Sequence, residues 1–516
     1  MATVSLGSSE GKWIMTSTIL ASAMAFIDAT ALNVVLPALQ KSLHATGADL
    51  FWMLNAYLLM LASLILVGGS LGDKLGRKRV YMIGIFIFII GSAACGFAPA
   101  VNVLIACRMV QGIGGALMIP GSLSLISSSI DEKEKGKAIG TWSAVTTIVT
   151  MGGPVIGGAL ADAGLWRYIF FINVPIGVAA LIILWKKVAE SRAADADPSL
   201  DYPGALATAL GLASLTFGFL RVPAVGFGHW QVYGSLALGV LLLVSFVLIE
   251  KKSAHPMMPL QLFANRIFTG VNLLTFFLYA GLGSGLLFLS LDLVQAQGYS
   301  QLESGLTFLP FTIMMISLAR LAGSYADKVG PRLLLTAGPA AVGTGLLILS
   351  FVGQTSGPGS YWTSFFPGIL VLGLGMSFTV APLTTAVMAS VSNHLSGVAS
   401  GVNNAMTRIA NVFANAIFGA LAVLLFTGAL TSRLKDLPLR PEEKKAAIAQ
   451  AANLGNAKIP EEISGKSKAQ IAHAYREGFI DTYAVVMRLS AALAFAGALM
   501  AVFFVRSGPR SAAGDL

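Results

Sequence analysis

The chain has 516 residues, of which 55% are apolar and only 11% are charged. Soluble domains carry about a quarter charged residues, so this composition excludes a water-soluble enzyme or binding module and indicates an integral membrane protein. The net charge of +10 does not require a nucleic-acid partner, because membrane proteins concentrate Lys and Arg in their cytoplasmic loops.

Fourteen apolar runs are predicted to be transmembrane helices, since a helix needs roughly 20 apolar residues to cross the hydrocarbon core. The first run is too long for a cleaved signal peptide and contains Asp28, so it is expected to be a true span. The predicted spans are Ile14–Leu36, Leu50–Leu71, Val80–Phe97, Val103–Ile126, Ile139–Leu160, Tyr168–Trp185, Gly204–Leu220, Val232–Ile249, Phe268–Leu291, Gly305–Ala322, Leu333–Val352, Phe365–Val387, Asn404–Thr427 and Tyr483–Val505.

Basic residues divide sharply between alternate loops. With the N terminus inside, the inside loops and termini hold eighteen Lys and Arg, against three in the short outside loops. This asymmetry predicts that both termini are cytoplasmic and that the protein lies in the cytoplasmic membrane. The loop at about 428–482 is then predicted to lie outside, with one or two short helices. A solvated surface cap and a gating or partner-binding role both stay open for it.

An internal repeat indicates two related halves. The segment Gly69–Arg79 at the end of span 2 shares Gly, Asp, Lys and Gly at the same offsets with Gly323–Arg332 at the end of span 10, 254 residues later. Parallel halves with a substrate site between them are a transporter architecture. We predict an all-α membrane fold with a six-helix bundle at 1–200, two additional spans at 201–255 and a second six-helix bundle at 256–516.

Four motifs together resemble those of the major facilitator superfamily, and in particular its fourteen-span drug:proton antiporters. They are Asp28-Ala29-Thr30 with Asn33 and Pro37, the Gly69–Arg79 loop, Arg108 with Gln111-Gly112, and Gly153-Pro154-Val155-Ile156-Gly157-Gly158. The resemblance covers essentially the whole chain. It implies the two-bundle major facilitator fold, and it implies export of lipophilic small molecules or drugs in exchange for protons.

Asp28 is the one acid that the sequence places well inside a span. A charged residue at a helix centre costs about 2.5–3.5 kcal/mol, so such acids face a cavity or a partner and often belong to proton relays. Arg108 in span 4 is the expected counter-charge, and Gln111 lies one turn away on the same face. A purely structural ion pair is the alternative. The resemblance implies that Asp28 and Arg108 couple the proton to transport.

Two glycine-rich motifs are candidate conformational elements. In span 5, Pro154 can kink the helix and the spacing of Gly153 and Gly157 allows close helix packing, although simple packing is an equal alternative. The resemblance implies that this is the antiporter signature. In the first loop motif, contacts of Asp73 would hold the halves together in one state, while a plain topology signal is the alternative. The candidate gating residues are Gly69, Asp73, Gly76, Arg77, Gly153, Pro154, Gly157 and Gly158.

A polar stripe on span 13 is expected to line the central cavity, because its members recur at helical spacing. Asp292 and Arg320 lie close to span ends and are expected to snorkel to the membrane surface rather than to function. The candidate substrate-cavity residues are Asn33, Tyr57, Gln111, Asn404, Arg408, Asn411 and Asn415.

Other function classes lack their motifs. Pro460 stands where a P-loop would need glycine ahead of Gly465-Lys466-Ser467, so direct ATP coupling is not expected. The five histidines form no ligand cluster, and no metal, cofactor or enzymatic activity is expected. We predict a monomer whose partners are the lipid bilayer, protons and a lipophilic substrate. An exporter dedicated to one metabolite, lipid or amino acid is the alternative, and a non-transporting membrane sensor is a third possibility.

Overall fold

The computed structural model describes residues 3–131, 134–191, 201–253, 256, 258–391, 396–435, 437–460, 463 and 466–505. Side chains of a further few helical residues, among them Asp73, Lys74, Arg320 and Asp327, lie outside the described set. The described residues are mostly helical, and the strand pairing among them is limited to one isolated bridge between Val4 and Ile130. The all-helical prediction is therefore confirmed.

Seventeen α-helices are defined. The first seven are α1 (Ser9–Leu43), α2 (Gly47–Leu75), α3 (Arg77–Phe97), α4 (Val101–Ser129), α5 (Lys135–Asp162), α6 (Tyr168–Phe171) and α7 (Asn173–Lys187). A hairpin follows, α8 (Tyr202–Val225) and α9 (Trp230–Lys252). The remainder are α10 (Arg266–Gln295), α11 (Gln301–Leu306), α12 (Leu309–Val329), α13 (Pro331–Leu349), α14 (Phe366–Ala389), α15 (Ser396–Leu434), α16 (Pro441–Ala449) and α17 (Lys466–Phe504).

Thirteen helical segments in the described residues are long and apolar enough to cross a membrane. The fifth predicted span coincides with α5, a 28-residue helix whose described apolar stretch, Ile148–Asp162, is shorter. Two predicted spans are each broken into two helices, at Ile172 and at 307–308. The multi-pass membrane architecture is confirmed. The predicted count of fourteen crossings is reached only if α5 also crosses the membrane.

Helix packing arranges these elements around two groups. We call α1–α7 the N-terminal half and α10–α17 the C-terminal half. Within the first, α4 packs on α2 and α3, while α1 packs on α5 and α7. Within the second, α10 packs on α17, and α14 packs on α12 and α13. The α8–α9 hairpin packs through α8 against α2 and α15.

The bundle has two distinct faces. The N-terminal face carries the N terminus, where the Val4 amide donates to the Ser129 carbonyl at 2.8 Å. The opposite face, which we call the cap face, is covered by the described part of residues 435–465, the cap segment. There Gln40 at the end of α1 donates to the Asn453 carbonyl at 2.9 Å and accepts from Asn456 at 2.7 Å. The cap segment therefore lies on the face opposite the N terminus, as span parity requires.

The cap segment is packed rather than merely solvated. The helices α15 and α17 have 39 residues each, which is about 58 Å at 1.5 Å per residue, so both continue beyond the roughly 30 Å hydrocarbon core. Arg433 joins these extensions through Glu477 at 3.3 Å and Asp481 at 2.6 Å. The short helices expected here are α16 and the 3-10 helix Gln450–Asn456. Hydropathy underestimated the lengths of α15 and α17, because their extensions beyond the membrane are polar.

We predict that a cysteine at Ala449, which is exposed on the cap segment, reacts with a membrane-impermeant thiol reagent in intact cells. Ala451 is unsuitable because it is only 2% exposed. The matched control is Lys137→Cys, exposed on the N-terminal face, which should react only after permeabilisation. The unmodified chain measures background from Cys95 and Cys107. Reversal of the two labelling patterns would contradict cytoplasmic termini.

Candidate functional site

A buried polar network joins α1 and α4. Asp28 and Arg108 are each 1% exposed, and Arg108 Nη1 donates to Asp28 Oδ2 at 2.6 Å. Gln111 Nε2 donates to the other carboxylate oxygen at 2.9 Å, while Gln111 Oε1 accepts from Arg108 Nη1 at 2.6 Å. Both oxygens of Asp28 are thus satisfied inside the N-terminal half. The sequence positions of Arg108 and Gln111, three apart on α4, bring both to one carboxylate.

Helix α2 holds the guanidinium from its other side. The Arg108 guanidinium lies 4.5 Å from the centroid of the Tyr57 ring, a cation–π distance, and Arg108 Nε donates to the Met53 carbonyl at 3.4 Å. Tyr57 is itself fixed edge-on against Phe88, with ring centroids 6.3 Å apart. Three helices therefore position one arginine.

The energetics of this network make it sensitive to a single proton. Removing one partner of a buried ion pair costs about 3–5 kcal/mol, because the other charge is left uncompensated. Neutralising Asp28 by protonation removes the same attraction without removing the side chain. The arrangement can therefore hold Arg108 in one protonation state and release it in the other.

The candidate cavity residues of the N-terminal half are buried or partly buried in this structure. Tyr57 is 2% exposed and Gln111 is fully buried, so both serve the ion pair. Asn33 is partly buried, and its carbonyl accepts from Ser290 of α10 at 3.3 Å. A cavity role for these three residues stays a prediction.

The span 5 motif lies where three helices meet. A methyl group placed on Gly153 or Gly157 would overlap Thr30 or Ala31 of α1. One placed on Gly158 would overlap the Gln301 carbonyl of α11, in the other half. Likewise, the Pro154 carbonyl lies against Gly305 of α11. The glycines are therefore required by close approach, both within the N-terminal half and across the interface.

Hydrogen bonds between the halves cluster at the cap face. Asp162, at the end of α5, accepts from the Gln301 and Leu302 amides of α11, both at 2.8 Å. Gln295 of α10 donates to Gln40 of α1 at 3.0 Å. Together with the glycine contacts, these bonds close the cap face.

We predict that Gly158→Ala weakens this closure by about 1–3 kcal/mol, the usual cost of overpacking. The measurement is the distance between spin labels at Ala163 and Gln354, exposed positions on the two halves at the cap face. The variant should populate longer distances. Gly152→Ala is the matched control, because its methyl group would make only ordinary contact with Ile156. Identical distance distributions for both variants would refute the assignment.

The polar stripe on α15 is graded in exposure. Asn404 is exposed, Arg408 and Asn411 are partly buried, and Asn415 is buried with its Oδ1 unpartnered. Within the described residues Arg408 makes no hydrogen bond or ion pair. It lies within electrostatic range of Tyr57 of the N-terminal half and Tyr279 of the C-terminal half.

Two asparagines outside the sequence motifs also lie in the helices that contain or contact this stripe. Asn403 donates to Asn272 at 3.1 Å and to Thr275 at 2.8 Å, which ties α15 to α10. Asn55 of α2 is fully buried, and its amide has no partner among the described residues. Their positions within or next to predicted spans could have identified them, because an amide buried in a membrane needs a hydrogen-bonding partner.

The first loop motif makes its described contacts within the N-terminal half. Gly76 has a φ of 112°, a region that favours glycine. Arg77, Lys78 and Arg79 donate their backbone amides to Ser191 and Glu190 at 2.9–3.0 Å. Gly69 lies next to Pro120 of α4. The side chain of Asp73 lies outside the described residues, so its gating role stays a prediction.

The snorkelling expected for Asp292 is wrong. Its side chain is fully buried and accepts from Gln297 Nε2 at 3.2 Å. The hydropathy run ends at Leu291, but α10 continues to Gln295 and packs its last turn against α17 and the other half. For Arg320 the same expectation falls on a side chain outside the described residues.

Comparison with known proteins agrees with this architecture. The sequence model of the Major Facilitator Superfamily matches residues 18–415. The chain belongs to the major facilitator superfamily. This confirms the membership expected from the motifs.

Similar superfamily members include named resistance proteins. The Tetracenomycin C resistance and export protein of Streptomyces glaucescens is 31% identical over 94% of this chain and 90% of its own length. Multidrug resistance protein Stp of Mycobacterium tuberculosis is 32% identical over 80% of this chain and 76% of its own. The Multidrug transporter protein MdtP of Bacillus subtilis is 30% identical over 84% and 80%.

Solved major facilitator structures share the fold. A bacterial homologue of the human lysosomal transporter Spinster, in an inward-facing conformation, superposes with a TM-score of 0.68 at 19% identity, covering 98% of this chain and 100% of that one. The xylose transporter XylE of E. coli gives 0.57 at 14% identity, covering 96% of each. At these identities the likeness concerns the fold alone.

Proposed function

We propose that this protein exports lipophilic small molecules from the cytoplasm in exchange for protons. The observation that carries the proposal is the buried network of Asp28, Arg108 and Gln111, which places one protonatable carboxylate against a fixed cation. Intramembrane carboxylates of this kind mark proton relays in transporters. The names of the relatives, which describe export and multidrug resistance, support efflux as the direction of transport.

The hydrogen bonds between the halves suggest which step of the transport cycle this structure represents. Hydrogen bonds join the halves at the cap face, which supports a state that is closed on that side and receives substrate from the N-terminal face. In this state Asp28 is paired with Arg108. The transporter is then ready to receive substrate from the cytoplasm. After the substrate leaves on the other side, protonation of Asp28 would release Arg108 and favour the return step.

The remaining assignments follow the same proposal. A bundle at 1–200 rocks against a bundle at 256–516, while 201–255 forms an additional hairpin beside α2 and α15. The N-terminal face, with its basic loops, is cytoplasmic. The protein works as a monomer without a cofactor and is not an enzyme. Its coupling ion is the proton.

We predict that Asp28→Asn inserts and folds but no longer exports substrate in response to a pH gradient. Asn retains the shape of the side chain and one of its two acceptor oxygens, yet it cannot titrate. Purified protein in liposomes with an imposed pH gradient, tested against a compound panel, provides the measurement. Transport by the variant should fall to that of protein-free liposomes.

Two variants serve as controls for this assay. Asp28→Glu keeps a titratable group and should restore part of the gradient-driven transport. Asp481→Asn removes an acid on the cap face, outside the network, and should transport as the unmodified protein does. Undiminished gradient-driven efflux by Asp28→Asn would disprove the proton-carrier assignment.

We predict poor export of rigid dications relative to monocations of similar size. Asp28 is engaged by Arg108, and Arg408 faces the interface between the halves without a carboxylate partner among the described residues. Like charges interact far more strongly in a low-dielectric site than in water. Efflux of a monovalent dye is to be compared with that of a divalent biocide.

Arg408→Gln provides the matched variant for the charge prediction. It removes one positive charge and leaves a shorter polar side chain, so export of the dication should rise relative to that of the monocation. Equal export of both compounds by the unmodified protein would contradict the charge argument.

A further inference from the structure

A second carboxylate is buried in the C-terminal half, far along the chain from Asp28. Asp292 is fully buried in the last turn of α10. Its Oδ2 accepts from Gln297 Nε2 at 3.2 Å, and its Oδ1 has no partner among the described residues. Unlike Asp28, it makes no ion pair with any described residue.

The described groups that surround Asp292 are polar, and none of them forms an ion pair with it. Gln297 is held in place by the Gly353 carbonyl at 3.1 Å and by Thr355 at 2.9 Å. The titratable groups that face the carboxylate are Tyr483 of α17 and Tyr299, which follows α10. Both tyrosines are buried with unpartnered hydroxyls. The next acid is Glu303 of α11, which acts on Tyr299.

An isolated ionised carboxylate is too costly to bury without a partner, so such a group is neutral in a packed interior. Asp292 therefore fits its closed surroundings when it carries a proton. Its unpartnered oxygen and the two tyrosine hydroxyls leave acceptors and donors for that proton or for a bridging water. The ligand that this set of groups suits is a proton.

The last turns of α10 also form part of the closure at the cap face. Ser290 donates to the Asn33 carbonyl of α1 at 3.3 Å, and Gln295 donates to Gln40 at 3.0 Å. Just beyond them, α11 is held by Asp162 of α5. Separation of the halves at this face would break these bonds and admit water to Asp292.

We propose that Asp292 is a second proton-binding site, separate from Asp28, that couples closure of the cap face to proton uptake from that side. In the closed state the protonated side chain is buried. On opening, water solvates the carboxylate and the proton leaves. Acid at the cap face therefore favours closure, and alkali favours opening.

The test follows the spin-label distance between Ala163 and Gln354 in purified full-length protein from acid to alkaline pH. In the unmodified protein the short-distance, closed population should fall as the pH rises. Asp292→Asn is always neutral and should stay closed over the whole range. Asp28→Asn should keep the shift, which separates this proposal from the assignment of Asp28.

Two further variants complete the design. Asp292→Glu should recover a pH-dependent distance and shows that loss of the shift reflects titration rather than misfolding. Asp162→Asn tests the other acid of this closure and should weaken closure at all pH values without abolishing the shift. The proposal is overturned by an unchanged shift in Asp292→Asn, by no shift in the unmodified protein, or by closure that follows sodium concentration instead of pH.

Discussion

The ion pair between Asp28 and Arg108 is the constraint around which the N-terminal half is organised. A carboxylate and a guanidinium can be buried only if their charges and hydrogen-bonding groups are satisfied together. Gln111 completes the carboxylate, and Tyr57 covers the guanidinium. The helices α1, α2 and α4 must therefore keep one mutual arrangement while the pair is intact. We propose that loss of the charge on Asp28 weakens this arrangement and lets the three helices move relative to one another.

The described hydrogen bonds between the halves lie at the cap face. Small residues at Gly153, Gly157 and Gly158 let α5 approach α1 and α11 closely, and Asp162 caps the amides of α11. These contacts leave no room for a larger side chain between the helices. The buried Asp292 lies beside them in the other half. Among the described residues, each half thus contains one buried carboxylate, and only that of the N-terminal half is paired with a cation.

The sequence predicted the elements whose signal is local. Span positions followed from hydropathy, and the pairing of Asp28 with Arg108 followed from the cost of intramembrane charge. The polar extensions of α15 and α17 were not predicted, because hydropathy detects segments that contact lipid rather than helical segments in general. Asp292 was placed at a membrane surface because its burial depends on α17 and on the loop containing Thr355. Contacts between distant segments leave no mark on the local pattern.

The central claim is that Asp28 binds and releases a proton while buried against Arg108. Infrared difference spectroscopy between acid and neutral pH measures this directly, because a protonated carboxyl group has its own carbonyl stretching band. In the unmodified protein we predict a band that appears on acidification, shifts when aspartate is carbon-labelled and loses intensity in the Asp28→Asn variant. A band of the same size in Asp28→Asn, or no band in the unmodified protein while it transports, would contradict this assignment.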